Sequence, residues 1–548
     1  MKYFNPIYLL LVLLLTGSCK PVIVDLVIRN GIIVDGTGDP LYKGHIAIHQ
    51  DSIFDIGKLK GIKGEKEIDI NGMAVSPGFI NMLSWANESL IEDGRSQSDI
   101  RQGVTLEVLG EGFSMGPLND NLKRGLTEDQ EDIRYDVSWT SLSEYLDFLV
   151  KKGVSTNVAS FVGNATLRAY VMGYENRKPT QEEMDIMKDL LKDAMMEGAV
   201  GLSSALIYVP SGHAETEELI ELAKVVREYD GLYVSHIRGE EADLLDAVEE
   251  LIITAREAKV RSEIYHFKAS GNENWYLLDS AILMIEEARK EGLAITTDMY
   301  TYNASSTGLN IGLPLWAREG GHESTIALIK NPITRKKMIA ENEFHVTADK
   351  ILLVGFRNPD LRKYLGKTLE EVSSERGTNP SETVVDLILE DDSRIQVVYF
   401  SMSEENIKKK IALPWMSICS DAGSYATEGV FLNQSTHPRA YGSFARVIGK
   451  YVRDEKVISL EEGIYKLTGL PASNLKLIKR GLLKKGYFAD LVVFDPATVQ
   501  DHATFEKPHQ YATGVIHVWV NGVQVLKDGN HTGAFPGRVV KGPGYIHK

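Results

Sequence analysis

The sequence predicts an α/β fold: a (β/α)8 TIM-like barrel with a small β-sandwich domain formed from both chain ends and an insertion before the last barrel strand. Three observations carry this. Short strand-like runs crowd both ends of the 548-residue chain. The long middle alternates short apolar runs with segments of helical period. One long stretch, roughly 307–414, interrupts that alternation ahead of its final apolar run.

At the N-terminus, Lys2 precedes an apolar stretch, 7–15, that is too short to span a bilayer. Thr16, Gly17, Ser18 and Cys19 follow. Together they resemble a bacterial lipoprotein signal over residues 1–19, with Cys19 as the lipid-bearing residue. The expected location is the bacterial cell envelope, with the protein anchored to a membrane by its N-terminal lipid and facing the periplasm or exterior. Ordinary secretion with an incidental cysteine is the alternative. The only other cysteine is Cys419, so a lipidated Cys19 leaves no intrachain disulfide and the fold must rest on its core.

Residues 20–74 and 475–548 read as the small β domain. In the first part, two β runs meet at Asn30-Gly31, a hairpin signal. In the second, 489–495 and 515–525 run or alternate apolar, with turns at Pro496 and Asn521-Gly522. Residues 75–474 read as the barrel. Its candidate strands are 75–82, 104–109, 157–162, 200–204, 232–236, 263–267, 294–299 and 415–420. Helical periodicity fills gaps between them, as at 182–196, 217–229, 242–258 and 277–290. The insertion, about 307–414, follows a barrel strand, where such segments often cover an active site.

A content of 43% apolar and 25% charged residues is that of an ordinary globular protein, which argues against disorder. The net charge of -16 argues against nucleic acid as a partner, because that binding depends on basic patches that neutralise phosphates, and reads first as solubility.

Glu111, His236, His266, Lys268, Asp298 and Asp421 sit where candidate strands end. Barrel strand ends converge on one face, and catalytic groups collect there. Two histidines on successive strands with one carboxylate form a catalytic zinc set that leaves a position for water. Zinc in such a set polarises a carbonyl and acidifies water. Glu107 is a weaker candidate ligand, since strand alternation can aim it elsewhere.

Pro77-Gly-Phe-Ile80, Gly486-Tyr-Phe-Ala-Asp-Leu-Val-Val-Phe-Asp495 and Val518-Trp-Val-Asn-Gly522 resemble the amidohydrolase superfamily. Further stretches resemble its D-aminoacylase (N-acyl-D-amino-acid deacylase) branch. They are Gly201-Leu-Ser-Ser-Ala-Leu-Ile-Tyr-Val-Pro210, Ser235-His-Ile-Arg238, Tyr265-His-Phe-Lys268, Asp298-Met-Tyr-Thr-Tyr302, Ser420-Asp-Ala-Gly423 and His437-Pro-Arg-Ala-Tyr-Gly-Ser-Phe-Ala-Arg446. The matches run in order along nearly the whole mature chain.

The resemblance implies metal-dependent hydrolysis of N-acyl-D-amino acids to a carboxylate and a free D-amino acid, with a small-molecule N-acyl amino acid as partner. It implies His236 and His266 as metal ligands, and Asp421 as the base that moves a proton from the attacking water to the leaving nitrogen. Tyr208 would support the developing oxyanion, and Lys268, Tyr302, Ser306 and Arg439 would hold the substrate carboxylate. Two departures stand out. The superfamily's His-x-His is Leu83-Ser84-Trp85 here, which removes the ligands of one metal position. The branch's cysteine ligand aligns with Glu111, a harder donor. One tightly held zinc ion per chain is therefore expected. A related amidase acting on dipeptides or cyclic amides, and a catalytically decayed binding protein, are the alternatives.

Overall fold

The computed structural model describes residues 21–546, so Cys19 and the segment before it lie outside the described residues. Among the described residues no helix is long and apolar enough to cross a membrane. The chain opens with β1 (Val22–Ile33), β2 (Tyr42–His49), β3 (Ser52–Gly57), β4 (Ile62–Asp69) and β5 (Ala74–Pro77). β1 pairs antiparallel with β2, and parallel with β4 and then β5.

Asn30-Gly31 does not make the hairpin turn that its sequence suggests. The strand runs through it with a bulge between Ile28 and Gly31, and Asn30 adopts φ +57°. The bulge marks a change of partner. Val22 to Arg29 pair with β4, whereas Ile32 and Ile33 pair with β5. The dipeptide thus gives the local twist of a bulge, and pairing on both flanks keeps the strand from reversing.

Eight parallel elements follow: β6 (Phe79–Asn81), β7 (Val104–Leu109), β8 (Asn157–Ser160) with its continuation β9 (Val162–Gly163), β10 (Gly201–Ala205), β11 (Leu232–His236), β12 (Arg261–Ile264), β13 (Ile295–Met299) and, after the insertion, a last strand. The helices between them fall close to their sequence periods, for example Gln181–Glu197, Thr216–Glu228, Leu244–Ala258 and Leu277–Lys290. The first of these starts on a capping box. Thr180 accepts from the Glu183 amide, and the Glu183 side chain answers to the Thr180 amide.

The insertion forms its own antiparallel sheet, in the order β14 (Ser305–Gly308), β16 (Gln396–Tyr399), β15 (Ile351–Gly355), around a separate core that includes Leu309, Leu353, Val385 and Val397. β17 (Met416–Ile418) is the last barrel strand and pairs with β13. The ring closes between β17 and β6. The Asp421 amide donates to Leu83 O (3.0 Å), Trp85 N to Ala422 O (3.0 Å), and Ser420 N to the Asn81 side chain (2.9 Å).

The barrel lumen is filled by side chains such as Ile80, Leu106, Val108, Phe161, Val234, Tyr265 and Tyr300, so it is a core and not a pore. β18 (Leu491–Phe494) then pairs antiparallel with β5 and carries β19 (Val515–Val520), β20 (Val523–Lys527) and β21 (Asn530–His531) into the sheet of β1. Both chain ends therefore build one nine-stranded sheet. Here Asn521-Gly522 does turn a two-residue hairpin, with Val520 opposite Val523 and both turn residues at positive φ.

Candidate metal centre and active site

Glu111 lies just past β7, between Gly110 (φ +97°) and Gly112 (φ +64°). A Cβ on Gly110 would sit 2.5 Å from Phe161 O, and one on Gly112 would sit 2.5 Å from the Ala205 Cβ. Two glycines thus let the chain press against the neighbouring strands and bring the Glu111 carboxylate to the histidines.

His236 ends β11. His266 follows β12 in the left-handed region (φ +36°), which is costly for a side-chain-bearing residue. Three bonds hold it there. Its amide donates to Asp298 Oδ1 (2.6 Å), the Phe267 amide donates to Asp298 O (3.0 Å), and the buried Lys410 Nζ donates to Phe267 O (2.5 Å). Strand β12 therefore ends at Ile264 and not at Phe267, as apolarity alone suggests, because Asp298 captures the amide that a ladder would use.

Glu111 Oε1 stands 2.9 Å from His236 Nδ1 and 3.1 Å from His266 Nε2. All three side chains are buried, and their donor atoms lie within 4.8 Å of one another. Burial pushes the Glu111 carboxyl up, but bonds to both rings outweigh it and hold the group well below the usual carboxylate range. Burial and Lys268 depress His266, yet Asp421, Glu111 and Glu240 carry it up to about 9. The surroundings thus favour positive charge at this spot. Two imidazole nitrogens and one carboxylate oxygen, buried and convergent, fit a zinc-type ion in number and donor type.

Asp421 follows β17, also at positive φ (+50°). Its Oδ1 accepts from Trp85 Nε1 (3.2 Å), and its Oδ2 lies 2.6 Å from Arg439 Nη1. Burial raises its pKa above the usual carboxylate range, although Arg439 and His266 pull the other way. Arg439 is itself buried and lies over the Tyr300 ring at 4.5 Å. Its contact with Asp421 is an ion pair without an aligned N–H, so Nε and Nη1 make no hydrogen bond. His437 sets the start of the helix Arg439–Arg446 by accepting the Arg439 amide at Nδ1 (3.0 Å), while its Nε2 meets Ala304 O (2.9 Å).

Tyr208 packs its ring against His236, centroids 5.3 Å apart, and its hydroxyl meets Thr307 Oγ1 at 2.5 Å. Burial pushes this phenol up to about 12, so it stays protonated at neutral pH. Lys268 Nζ donates to Glu240 Oε1 (2.5 Å) and to His266 O (3.1 Å), and lies 2.8 Å from His266 Nδ1.

Two other sequence candidates are held elsewhere. The Tyr302 hydroxyl donates to Asp501 Oδ2 (3.2 Å), with Arg446 over its ring (4.7 Å). The Ser306 hydroxyl donates to Val397 O (2.8 Å) and accepts from Gln396 (2.9 Å) within the insertion sheet. It is Tyr300, two residues before Tyr302, that meets Arg439. Glu107 accepts from Ser84 (2.6 Å) and Thr156 (3.1 Å), on the face of β7 opposite Leu106 and Val108. Sequence reasoning passed over Glu240. The available signal was its position in the loop after β11, four residues beyond His236.

A sequence profile of the Amidohydrolase family matches residues 435–526. The chain is 33% identical over 520 residues to the D-aminoacylase of Alcaligenes xylosoxydans xylosoxydans, covering 94% of this chain and 97% of that one. A solved D-aminoacylase, studied for a binuclear metal centre with one-metal activation and second-metal attenuation, superposes with a TM-score of 0.79 at 32% identity. That match covers 94% of this chain and all of the other. The N-acyl-D-glutamate deacylase of Bordetella bronchiseptica, solved with zinc and a phosphonate that mimics the tetrahedral intermediate, superposes at 0.78 with 29% identity, covering 94% of this chain and 99% of that one.

Proposed function

The chain belongs to the D-aminoacylase family of amidohydrolases, and from that membership we propose that its substrate is an N-acyl-D-amino acid, cleaved to a carboxylate and a free D-amino acid. The reaction class is metal-dependent hydrolysis of an amide carbon–nitrogen bond. The observation that carries the reading is one buried cluster, in which Glu111, His236 and His266 converge beside the Asp421–Arg439 pair.

We assign one zinc ion per chain to Glu111, His236 Nδ1 and His266 Nε2. There it would supply Lewis acidity to the acyl carbonyl and make water a nucleophile near neutral pH. Asp421 takes the proton of the attacking water and delivers it to the leaving nitrogen. Tyr208 keeps its proton and donates it in a hydrogen bond to the developing oxyanion. Arg439, whose Nε and Nη1 make no hydrogen bond although Nη1 is ion-paired with Asp421, presents to the substrate carboxylate a planar fork suited to that partner, and Lys268 adds a second cation. Tyr302 and Ser306 would join this clamp only by giving up their bonds to Asp501 and Val397 O.

The test is a panel of N-acyl-D-amino acids, their L enantiomers, dipeptides and cyclic amides with zinc-loaded protein. Turnover should be confined to the N-acyl-D set. Faster hydrolysis of a dipeptide or cyclic amide, or a preference for L, overturns the substrate assignment.

The short apolar run before Cys19 further supports attachment to a membrane by lipid at that residue. Cys19→Ser should move the protein from the membrane to the soluble fraction, and unchanged fractionation of that variant would rule the anchor out.

A further inference from the structure

We propose that Glu240 is the positioning residue for both metal-ligating histidines: one carboxylate oxygen that faces the outer nitrogen of each ring and so sets how tightly the site holds its ion. The inference rests on the reading that Glu111, His236 and His266 hold a metal.

The two rings present different atoms to Glu111. His236 offers Nδ1 and His266 offers Nε2. The rings stand nearly perpendicular, at 84°, with centroids 4.3 Å apart. Their outward atoms are therefore His236 Nε2 and His266 Nδ1. Glu240 Oε1 lies 3.8 Å from the first and 3.2 Å from the second. His236 Nε2 is buried and has no hydrogen-bond partner.

A neutral imidazole that gives its lone pair to a metal must carry its proton on the other nitrogen, and that proton needs an acceptor. Next to His266 Nδ1 lie Glu240 Oε1 and Lys268 Nζ. An ammonium has no lone pair to offer, so Glu240 is the acceptor of the two. The carboxylate also lies 3.8 Å from the orphaned Nε2 of His236, with a charge that can draw its proton.

Lys268 then has a second task. Its ammonium, 2.5 Å from Glu240 Oε1 and tied to His266 O, anchors the carboxylate against the rings. The loop is held as well. The Ser270 amide donates to Glu240 O (2.7 Å), joining the turn after β11 to the one after β12. Arg238, between His236 and Glu240, is turned away to Glu250 (2.9 and 3.0 Å) and does not compete for the carboxylate.

The experiment titrates zinc against a chromophoric chelator with wild type, Glu240→Gln and Glu240→Asp, and records Tm in excess chelator. Losing an outer partner of a metal ligand typically costs about 10–100-fold in affinity. Glu240→Gln should weaken zinc binding by that factor and leave Tm in chelator unchanged. Glu240→Asp, which keeps the charge on a shorter stem, should fall between the two. Wild-type affinity in Glu240→Gln overturns the proposal, as does a loss of affinity that appears only together with a fall in Tm in chelator. A wild-type protein that binds no zinc brings down the metal centre itself, and the proposal with it.

Discussion

Asp421→Asn should lower kcat by at least about two orders of magnitude, the lower end of what a general base contributes, in a protein that stays folded and metal-loaded. The argument begins at the backbone. The Asp421 amide is fixed on Leu83 O where the barrel closes, so the side chain has little freedom to relax. Asparagine keeps the volume and can still accept the Trp85 N–H, now 3.2 Å from Oδ1. It cannot take a proton from water.

The ion contact between Asp421 and Arg439 gives the variant a second signature. The two residues were assigned separate tasks from sequence, base and carboxylate clamp, yet they lie 2.6 Å apart. Neutralising Asp421 leaves the Arg439 charge without its anion, so the affinity for a carboxylate substrate should hold or rise while turnover collapses. Arg439→Met does the reverse. It weakens substrate binding and also removes a cation that lowers the Asp421 pKa. The base must be ionised to act, so the acid limb of its pH–rate profile should move to higher pH. Near-wild-type turnover in folded, metal-loaded Asp421→Asn would return the residue to a structural role.

Much of the architecture was legible because barrel strands are buried on both faces and announce themselves as apolar runs. Strands 104–109 and 232–236 match residue for residue, and Leu277–Lys290 falls on its predicted helical period. The errors arise where a polar atom, and not apolarity, decides the backbone. Asp298 takes the His266 amide and ends β12 early, and pairing with β4 and β5 carries β1 straight through Asn30-Gly31.

The site divides in the same way. Glu111, His236 and His266 could be read from their places after strands, since barrel topology alone brings strand ends together. Which tyrosine meets Arg439 could not be read, because Tyr300 and Tyr302 are both buried in one apolar cluster and only packing separates them. Glu240 was hidden for a related reason. Its partners come from β11 and from the turn after β12, and one-dimensional spacing carries no sign of that meeting.

Glu111→Ala should abolish tight zinc binding and reduce activity by more than the roughly 100-fold that losing an outer-sphere partner can cost. Glu111 is one of three convergent donors among the described residues, and its Oε1 is the point on which both rings converge. Removing it also leaves His266 without an anion that sustains its raised pKa.

Glu111→Cys tests the alternative donor. A thiolate binds zinc well and disfavours harder ions, so this variant should retain zinc and activity while losing any ability to work with manganese. If Glu111→Ala kept wild-type zinc affinity, Glu111 would be a structural acceptor for two histidines and no ligand.

The same preparations give the stoichiometry. One equivalent of zinc should restore the chelated protein fully. Further zinc should neither raise nor lower the rate, because Leu83-Ser84-Trp85 offers no second pair of imidazoles and the Trp85 N–H already occupies Asp421 Oδ1. Attenuation by a second equivalent, as described for the solved D-aminoacylase, would show that this chain builds a second metal position from other side chains.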